Sequence, residues 1–343
     1  MTELTIPAIE VPRWAPNIIV SDRVTPTPLV DAFGYRSPAR FTAPEIRYSE
    51  PQPLFVTGDK FTIVTERTGL VADSTYLFNE YAWGDLFVPP RTIVPVPDRP
   101  ILVASNAAWI NHSHWLFQCF SALLLPEDVG LDDVQALVAP LRPIHREYLA
   151  LAGIDPARLT ELPAGSAALP AQGIYSNLTS GDYPYVPHPA IVEAFERLAE
   201  RAPKSVFAGR SVYISRADSR NRPLANEAAL REEFESRGYA IITAGALSAQ
   251  EQIALFRDAA LIVGPHGAAM TNILFAPRGE AGPIVVELHQ ENYIGPAFLK
   301  ICQVKRLRYT AIVSRMVDPG ADGRHDSSWE ADLPLVRKTL AAL

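Results

Sequence analysis

A histidine between two glycines interrupts an apolar run and suggests a site for an anion. The run at positions 261–275 reads LIVGPHGAAMTNILF, so a strand-like segment breaks at GPHG before small residues open a helix. In parallel α/β proteins the N–H groups of such a turn face an anion. Small residues at Gly267 and Ala268 let a phosphate approach the backbone, and His266 can donate a hydrogen bond to it. The alternative is a glycine-tightened loop in which His266 makes only a local bond.

A second apolar run, IVVEL at positions 284–288, carries Glu287 at its end. A carboxylate there can accept hydrogen bonds from ribose hydroxyls, and Glu287 lies 20 residues after Gly267, close to the ~20 of dinucleotide sites. The turn lacks the G-x-G-x-x-G fingerprint of those sites. A nicotinamide-dependent oxidoreductase is therefore the less favoured interpretation.

Three arginines follow a predicted strand at positions 211–215 and suggest a clamp for a diphosphate. They are Arg216, Arg220 and Arg222, within the segment ISRADSRNRPLANE. Ligands bind at the carboxyl ends of strands in open α/β sheets, and the planar guanidinium suits bidentate contact with phosphate. The alternative for each arginine alone is a solvated loop charge. Asn226, near the end of the segment, is the predicted N-cap of the next helix.

The segment NHSHW at positions 111–115 places two histidines in the N-terminal half. On a helix His112 and His114 face different directions, which makes them a poor chelating pair. One of them can serve as a general base because imidazole titrates near neutral pH. The alternative is a structural histidine. No cysteine–histidine spacing resembles a zinc site, and Cys119 and Cys302 are predicted to be buried free thiols.

Alternating strands and helices in the C-terminal half would position these residues. A capping box, Ser248 to Glu251, opens one helix, and Gly238 ends another as a C-cap. Strict alternation implies a parallel sheet covered on both faces. The predicted strands are 211–215, 239–243, 261–263, 284–288 and 308–313, and the predicted helices are 191–201, 226–237, 248–258, 266–275 and 296–304.

The N-terminal half is less regular. Residues 1–50 are rich in proline and are predicted to form an extended arm, and a β-rich segment with short runs follows over 54–104. A buried helix is predicted over 109–125, and GDYPYVPHP at 181–189 is the predicted linker. The predicted domains are the arm (1–50), an N-terminal domain (51–183), a C-terminal α/β domain (190–315) and a tail helix (316–343).

Composition indicates a folded protein of two domains. The chain has 343 residues, of which 48% are hydrophobic and 20% charged, and ~150 residues per domain predicts two domains. The net charge of −7 argues against a general nucleic-acid binder. Neither a signal peptide nor a run of ~18 apolar residues is recognised, so we expect a cytoplasmic protein without a membrane span. A peripheral association with the inner face of the membrane through the arm, and the oligomeric state, stay open.

Three segments of the C-terminal half occur in a fixed order. They are YISRADSRNRPLANE, LSAQEQIALFRDAALIVGPHGAAMTNILFAP and VVEL. Together they resemble the C-terminal half of glycosyltransferase family 61, and NHSHWLFQ resembles that family's N-terminal histidine–aromatic segment. The strong resemblance covers residues 205–290 and the weaker one residues 108–126.

The resemblance implies an α/β fold of the GT-B type, in which two Rossmann-like domains face each other across a cleft. It implies an inverting transfer from a nucleotide sugar, expected to be UDP-linked, to a glycan or lipid-linked glycan of a surface polysaccharide. No cofactor and no metal ion are expected, and no Asp-x-Asp pair is placed to hold a cation on a diphosphate. The donor-binding residues that it implies are Arg216, Arg222, Asn226, Gly264, His266, Gly267, Ala268, Asn272 and Glu287.

One departure from the family concerns the catalytic base. Four residues after the family's histidine an acid is usual, but this chain has Gln118, whose amide cannot usefully accept a proton. The base is therefore His114, or a carboxylate from elsewhere such as Glu127 or Asp85, or the chain is catalytically weak. The side chains expected beside the base on the acceptor side are His112, Trp115 and Gln118. The alternative function is a non-catalytic nucleotide-sugar or glycan-binding protein that keeps the fold.

Overall fold

The computed structural model describes residues 4–12, 17–24, 40–66, 69–71, 88–131, 134–180, 186–321 and 326–343. The chain divides into two compact units. Unit 1 comprises Met1–Glu10 and Thr42–Leu198, and unit 2 comprises Val11–Phe41 and Ala199–Leu343. Residues 67–68 and 72–87 of the predicted β-rich segment, with Asp85 among them, and residues 181–185 of the predicted linker lie outside the described residues. The domain boundaries drawn from the sequence stay a prediction.

Strands are numbered here in chain order, and helices are named by their bounds. The strands are β1 (Leu4–Ile6), β2 (Ile9–Pro12), β3 (Asn17–Val20), β4 (Arg40–Ala43), β5 (Ile46–Tyr48), β6 (Leu54–Thr57), β7 (Ile63–Thr65), β8 (Gly69–Leu70), β9 (Thr92–Val94), β10 (Ile101–Val103), β11 (Gln135–Val138), β12 (Leu159–Glu161), β13 (Ser166–Ala168), β14 (Gly173–Ile174), β15 (Ser211–Ile214), β16 (Ala240–Ile242), β17 (Leu261–Pro265), β18 (Ile284–Gln290), β19 (Tyr309–Ser314), β20 (Met316–Asp318) and β21 (Ser328–Trp329). The α-helices are His112–His114, Ser121–Leu124, Pro143–Ala152, Pro189–Ala199, Glu227–Ser236, Ala249–Asp258, Ala297–Lys305 and Leu333–Leu340. The 3-10 helices are Pro126–Val129, Pro156–Arg158, Asn177–Thr179, Ala244–Ala246, Ala268–Phe275 and Gly279–Ala281, and Trp115–Phe120 is a π-helix.

Unit 2 is built around a six-stranded sheet with the order β16-β15-β17-β18-β19-β3. Its neighbouring strands are all parallel. Nearly every residue of β18 and β19 is buried, as expected for a sheet covered on both faces. The predicted α/β class and the predicted parallel sheet of the C-terminal half are confirmed.

Local sequence signals fix the helices that flank this sheet. Ser248 accepts a hydrogen bond from the Glu251 N–H while the Glu251 carboxylate accepts from the Ser248 N–H, so the predicted capping box is confirmed. Gly238 has a left-handed φ of 79° directly after the helix Glu227–Ser236 ends, as a glycine C-cap requires. The predicted helix at 266–275 differs, since it begins at Ala268 and is a 3-10 helix.

The N-terminal arm contributes strands that were not predicted. β3 pairs in parallel with β19, with Ile18 opposite Ala311, and so extends the large sheet of unit 2. β1 pairs in antiparallel fashion with β5 in unit 1. Three or four residues are too few to show a strand periodicity, which is why only extended chain was expected there.

Unit 1 contains two larger sheets. One is parallel with the order β12-β11-β10-β14, and the other is mixed with the order β8-β7-β6-β13-β9. A buried cluster that includes Leu54, Ile63, Ile101, Val103 and Leu137 draws on strands of both sheets. The core of unit 1 therefore lies between elements from 54–71 and elements from 101–168.

The helical stretch predicted over 109–125 is confirmed in part. It runs from His112 to Leu124, and the Asn111 side chain caps its start by accepting a hydrogen bond from the Ser113 N–H. Its middle, Trp115–Phe120, is π-helical, a rare geometry that recurs at functional sites. Cys119 within this π-helix and Cys302 in unit 2 are buried and free, as predicted. Among the described residues no helix combines the length and apolarity needed to cross a membrane.

Candidate functional site

The predicted donor residues of unit 2 follow neighbouring strands of the parallel sheet. From β15 the chain moves to β16 on one side, and then returns across β15 to β17 on the other side. The direction of winding therefore changes between β15 and β17. Arg216 follows the carboxyl end of β15, and His266 follows the carboxyl end of β17. Ligands of open α/β sheets bind at such a switch point, outside the carboxyl ends of the strands.

The Arg216 guanidinium joins the arginine-rich loop to the histidine–glycine turn. Its Nη1 donates to the carbonyl oxygen of His266 at 2.7 Å. Its Nη2 donates to Ser219 Oγ at 2.8 Å and to the carbonyl oxygen of Asn221 at 2.9 Å. Burial, together with the nearby charge of Arg222, lowers the pKa of Arg216 to about 10. Arg216 therefore holds the loop and the turn together.

Gly267 is needed at the turn because of space rather than backbone conformation. Its φ of −177° is extended, which any residue can adopt. A Cβ at this position would overlap Arg216 Nη1 and would lie 3.0 Å from Cζ of the same side chain. Gly264 is also closely packed, since a Cβ there would lie 3.0 Å from Met270 Sδ and 3.1 Å from Ile214 Cβ. Both glycines thus allow close packing around the turn.

Helical N–H groups follow the turn directly. The helix Ala268–Phe275 begins after Gly267, and the first N–H groups of a helix precede any carbonyl that could accept them within it. Ala268 is partly exposed at this start. The start of the helix can therefore offer main-chain donors to an anion, and the binding of an anion there stays a prediction.

His266 is bonded to Glu287 through its Nδ1 atom. The hydrogen bond joins Nδ1 to Glu287 Oε1, and 14% of the His266 side chain remains exposed. Burial lowers the pKa of His266, and the adjacent Glu287 carboxylate offsets this only in part. The Nε2 edge faces Gly295, where a Cβ would lie 3.2 Å from Nε2. His266 is therefore a neutral imidazole whose Nδ1–H donates to Glu287.

Glu287 is the centre of a buried polar cluster. Its Oε2 accepts a hydrogen bond from the Tyr309 hydroxyl at 2.5 Å and lies 3.3 Å from His289 Nε2. Burial alone would raise the pKa of Glu287, but His289 and His266 together lower it below its usual range. Burial and the Glu287 charge raise the pKa of Tyr309 well above its ordinary value. The carboxylate is thus ionised and surrounded by donors.

The expectation that Glu287 ends its strand is wrong. β18 continues to Gln290, and the Glu287 side chain is fully buried, with protein partners on both oxygens. The strand continues because Leu288, His289 and Gln290 pair with β19 residues Ile312, Val313 and Ser314. The contact with ribose stays a prediction, and the observed contacts give Glu287 the role of orienting His266.

The three side chains of this cluster are also spaced as metal ligands could be. Ligand atoms of His266, Glu287 and His289 lie within 4.8 Å of one another. Both carboxylate oxygens of Glu287 already accept hydrogen bonds, one from His266 Nδ1 and the other from the Tyr309 hydroxyl. Tyr309 is not one of the three potential metal ligands. The arrangement is therefore a closed hydrogen-bonded cluster, and a cation would have to displace the protons of these donors.

Arg222 lies over an aromatic ring near the same turn. Its Cζ is 4.1 Å from the centroid of the Tyr293 ring, a cation–π distance, and that ring is 5.5 Å from the ring of His266. The backbone of Arg222 has a left-handed φ of 51°, which is costly for a residue with a side chain and recurs at functional sites. The carbonyl oxygen of Arg222 accepts from Trp329 Nε1 at 3.3 Å. Tyr293 was not predicted from the sequence.

Two other predicted donor residues have partners inside the protein. Asn226 stands before the helix Glu227–Ser236 but does not cap it, because its amide exchanges two hydrogen bonds with the main chain of Ala331, at 2.8 and 3.0 Å. Asn272 is fully buried and donates to Gln252 Oε1 and to the carbonyl oxygen of Ala269, both at 3.1 Å. Asn226 does occupy the predicted N-cap position, but its side chain makes no capping hydrogen bond, and both amides fix loops around the site.

The third arginine of the loop, Arg220, is exposed, in contrast to Arg216 and Arg222, which are partly buried. Loop residues 223–225 are in turn held by the C-terminal segment, since the Ala225 N–H donates to the carbonyl oxygen of Trp329 at 2.8 Å. The structure therefore brings together Arg216, Arg222, His266, Gly267 and Ala268, and it leaves Arg220 outside this group.

In unit 1, His114 is paired with Gln118. The two residues are four positions apart on the helical stretch, and His114 Nδ1 lies 3.1 Å from Gln118 Oε1. Gln118 is 1% exposed, and its amide also contacts Asn106 and Ser180. Burial lowers the pKa of His114, and the hydrogen bond to Gln118 offsets this only in part. His114 is partly exposed and neutral, as a general base must be before it accepts a proton.

The other residues predicted on the acceptor side belong to an aromatic core. Trp115 is 3% exposed and stacks on His145 with ring centroids 4.1 Å apart and an interplanar angle of 4°. His112 lies 6.0 Å from the Tyr148 ring, centroid to centroid. Of the two carboxylates considered as alternative bases, Glu127 lies within the described residues. It is an exposed residue of the 3-10 helix Pro126–Val129. Trp115 therefore supports the helix that carries His114.

The profile of one protein family, described as Glycosyltransferase 61, matches residues 112–282 of the chain. The match begins in the segment that carries His114 and Gln118, and it includes the arginine-rich loop and the histidine–glycine turn. No curated protein sequence matches the chain. The family match agrees with the residues that meet at the switch point of the sheet, and the chain belongs to glycosyltransferase family 61.

Proposed function

We propose that the chain is an inverting glycosyltransferase that binds a UDP-sugar in unit 2 and transfers the sugar to a hydroxyl group of a glycan or lipid-linked glycan. Membership of the family supports transfer from a nucleotide-sugar donor to a glycan acceptor. The observation that carries the donor site is the junction of Arg216, His266 and Gly267 at the switch point, with Arg222 beside it. The role in surface polysaccharide synthesis rests on the family resemblance.

Arg216 and Arg222 have different roles in this proposal. The Nη1 and Nη2 atoms of Arg216 are bonded to loop and turn atoms, so Arg216 shapes the site. Arg222 lies over the face of the Tyr293 ring beside the histidine–glycine turn, and a planar guanidinium suits bidentate contact with phosphate oxygens. Arg222 is therefore the proposed diphosphate ligand. Its positive charge stabilises the nucleoside diphosphate as it leaves.

His266 completes the anion site by taking up a proton. In the free protein its Nδ1–H donates to Glu287, and Nε2 carries the lone pair. A diphosphate near Nε2 favours the imidazolium, which then donates from Nδ1 to Glu287 and from Nε2 to the phosphate. Together with the main-chain donors at Ala268 and the charge of Arg222, this supplies a positive field without a metal ion.

The proposal assigns the catalytic base to unit 1. His114 is proposed as the base because it is partly exposed and its Nδ1 faces Gln118, whereas the Nε2 atom of His112 is buried beside Tyr148. It would take the proton of the acceptor hydroxyl as the oxygen attacks the anomeric carbon. The proposal keeps two parts of the GT-B expectation, namely that unit 2 binds the donor and that unit 1 activates the acceptor.

A specific observation supports a second candidate, a binding protein without transfer activity. Where the family usually has an acid, Gln118 is buried and its amide is bonded to Asn106, Ser180 and His114. If a carboxylate at that place is essential for transfer, the chain would bind nucleotide sugars and leave them intact. The two candidates predict the same nucleotide affinity and differ in turnover.

Calorimetric titration of UDP, GDP, TDP, CMP and NADH, each with EDTA and with manganese, tests the donor site. The proposal predicts that UDP binds with the same affinity in EDTA and in manganese. Binding that requires manganese would contradict the metal-free mechanism. Preferential binding of NADH would favour the oxidoreductase, and binding of none of the five would remove the donor site.

A further inference from the structure

An amide network in unit 1 surrounds the Nδ1 side of His114. Gln118 Oε1 lies 2.9 Å from Asn106 Nδ2 and 3.1 Å from His114 Nδ1. Gln118 Nε2 donates to the carbonyl oxygen of Ser180 at 2.9 Å. Asn106 Nδ2 donates in addition to the carbonyl oxygen of Thr179 at 3.2 Å. The network is buried, with Asn106 and Gln118 each 1% exposed.

Both amides have a single chemically consistent orientation. The Asn106 oxygen accepts from the Ala108 N–H at 3.0 Å, so the Asn106 nitrogen faces Gln118 and Thr179. Gln118 must then present its oxygen to Asn106, and its nitrogen faces the carbonyl oxygen of Ser180, which can only accept. The atom facing His114 is therefore an acceptor, and main-chain groups of Ala108, Thr179 and Ser180 fix this arrangement.

We infer that Gln118 is a positioning residue that sets the tautomer of His114, with the proton on Nδ1 and the lone pair on Nε2. An acceptor facing Nδ1 favours the tautomer in which Nδ1 carries the hydrogen. Gln118 thus performs, without a charge, the orienting part of what a carboxylate does for a catalytic histidine. The inference rests on the proposed function, in which His114 is the base.

The inferred tautomer gives a balanced transfer step. The acceptor hydroxyl gives its proton to His114 Nε2, and its oxygen forms the new bond to the anomeric carbon. The bond from that carbon to the diphosphate oxygen breaks, and the nucleoside diphosphate leaves with the electron pair. His114 becomes an imidazolium, whose Nδ1–H still donates to Gln118, and it releases the Nε2 proton to solvent before the next cycle.

The tautomer can be measured without any sugar transfer. Long-range proton–nitrogen correlation spectra of the full chain, with ¹⁵N-labelled histidine, distinguish the Nδ1–H form from the Nε2–H form. The His114 signals are assigned by their loss in His114→Gln. We expect the Nδ1–H form in the wild type and in Gln118→Glu, which keeps an acceptor at that place. We expect a mixture or the Nε2–H form in Gln118→Leu.

Kinetics then separate positioning from folding. With a UDP-sugar that supports turnover, including slow hydrolysis, Gln118→Leu should lower kcat by about tenfold or more and leave the donor KM unchanged. The loss cannot exceed the ~10²–10⁴-fold that a general base itself contributes. Ser121→Ala is the matched control, because it removes a buried hydrogen bond to the Leu116 carbonyl oxygen in the same helical stretch. This control should keep both the tautomer and kcat.

Two results would overturn the inference. One is an Nε2–H tautomer of His114 in the wild type, and the other is an unchanged tautomer in folded Gln118→Leu. A chain that binds UDP and shows the Nδ1–H tautomer but no turnover would instead contradict the proposed function and leave the tautomer assignment standing. The two failures are therefore distinguishable.

Discussion

Replacing Gly267 by alanine tests whether the turn and the arginine-rich loop form one unit. The added Cβ would overlap Arg216 Nη1, so the guanidinium must move away from the His266 carbonyl oxygen that it now contacts at 2.7 Å. The φ of −177° adds no backbone strain, so the loss should equal that of the displaced bond. A hydrogen bond to a charged group contributes about 1.5–3 kcal/mol, and we expect the free energy of unfolding to fall by that amount.

The assay is urea unfolding of wild type, Gly267→Ala, Arg216→Ala and the double variant, together with UDP calorimetry. The double variant should be no less stable than Arg216→Ala, within about 0.5 kcal/mol, because the Cβ has nothing to displace once Arg216 is shortened. UDP should bind at least tenfold more weakly to Gly267→Ala. Gly245→Ala is the matched control, since its Cβ would meet only a flexible carboxylate oxygen of Asp218 at 3.1 Å. Strictly additive losses of stability would refute the reasoning.

Three further predictions concern charge and protonation. Arg222→Gln should weaken UDP binding tenfold or more and leave uridine binding unchanged. Tyr293→Leu should have the same effect, whereas Tyr293→Phe should keep the wild-type affinity. Equal losses of affinity for uridine and UDP would contradict the phosphate role. Because burial lowers the pKa of free His266 and a diphosphate raises it, a UDP-sugar should bind with proton uptake, and its affinity should fall as pH rises from the lowered pKa towards the raised one. Calorimetry in buffers of different ionisation enthalpy measures that uptake, and His266→Gln should abolish it; an uptake unchanged in this variant would exclude His266. Burial raises the pKa of the Cys119 thiol to about 12, so Cys119 should resist alkylation in the native chain and react only after unfolding. Mass spectrometry maps the labelled cysteine, and rapid labelling of Cys119 in the native protein would contradict this prediction.

Periodicity and capping signals were sufficient to predict five of the six strands of the unit 2 sheet. The Ser248–Glu251 capping box and the Gly238 cap are local, so their effects can be predicted without knowing the fold. β3 could not be predicted, because a four-residue run acquires its strand conformation by pairing with β19. The π-helical turn at 115–120 likewise has no signal in the sequence.

The positions of the predicted site residues were easier to predict than their partners. The sequence placed Arg216 and His266 at one edge of the sheet, but the contact between them depends on two loops that meet in three dimensions. Glu287 was misjudged because β18 extends three residues further. Glu287 and His289 are two apart on a strand and share a face, which was the available signal for the buried cluster. Tyr293 and Asn106 lie in irregular segments and gave no such signal.

The stereochemistry of donor cleavage tests the central claim most directly. A UDP-sugar whose nucleotide is α-linked is incubated with the chain, with water or an added hydroxyl compound as acceptor, and the configuration of the first product is followed by proton NMR. We predict release of UDP and initial formation of the β-anomer, with both lost in His114→Gln while UDP still binds. Initial formation of the α-anomer, or tight UDP binding without any cleavage across a broad panel of donors and acceptors, would contradict the account.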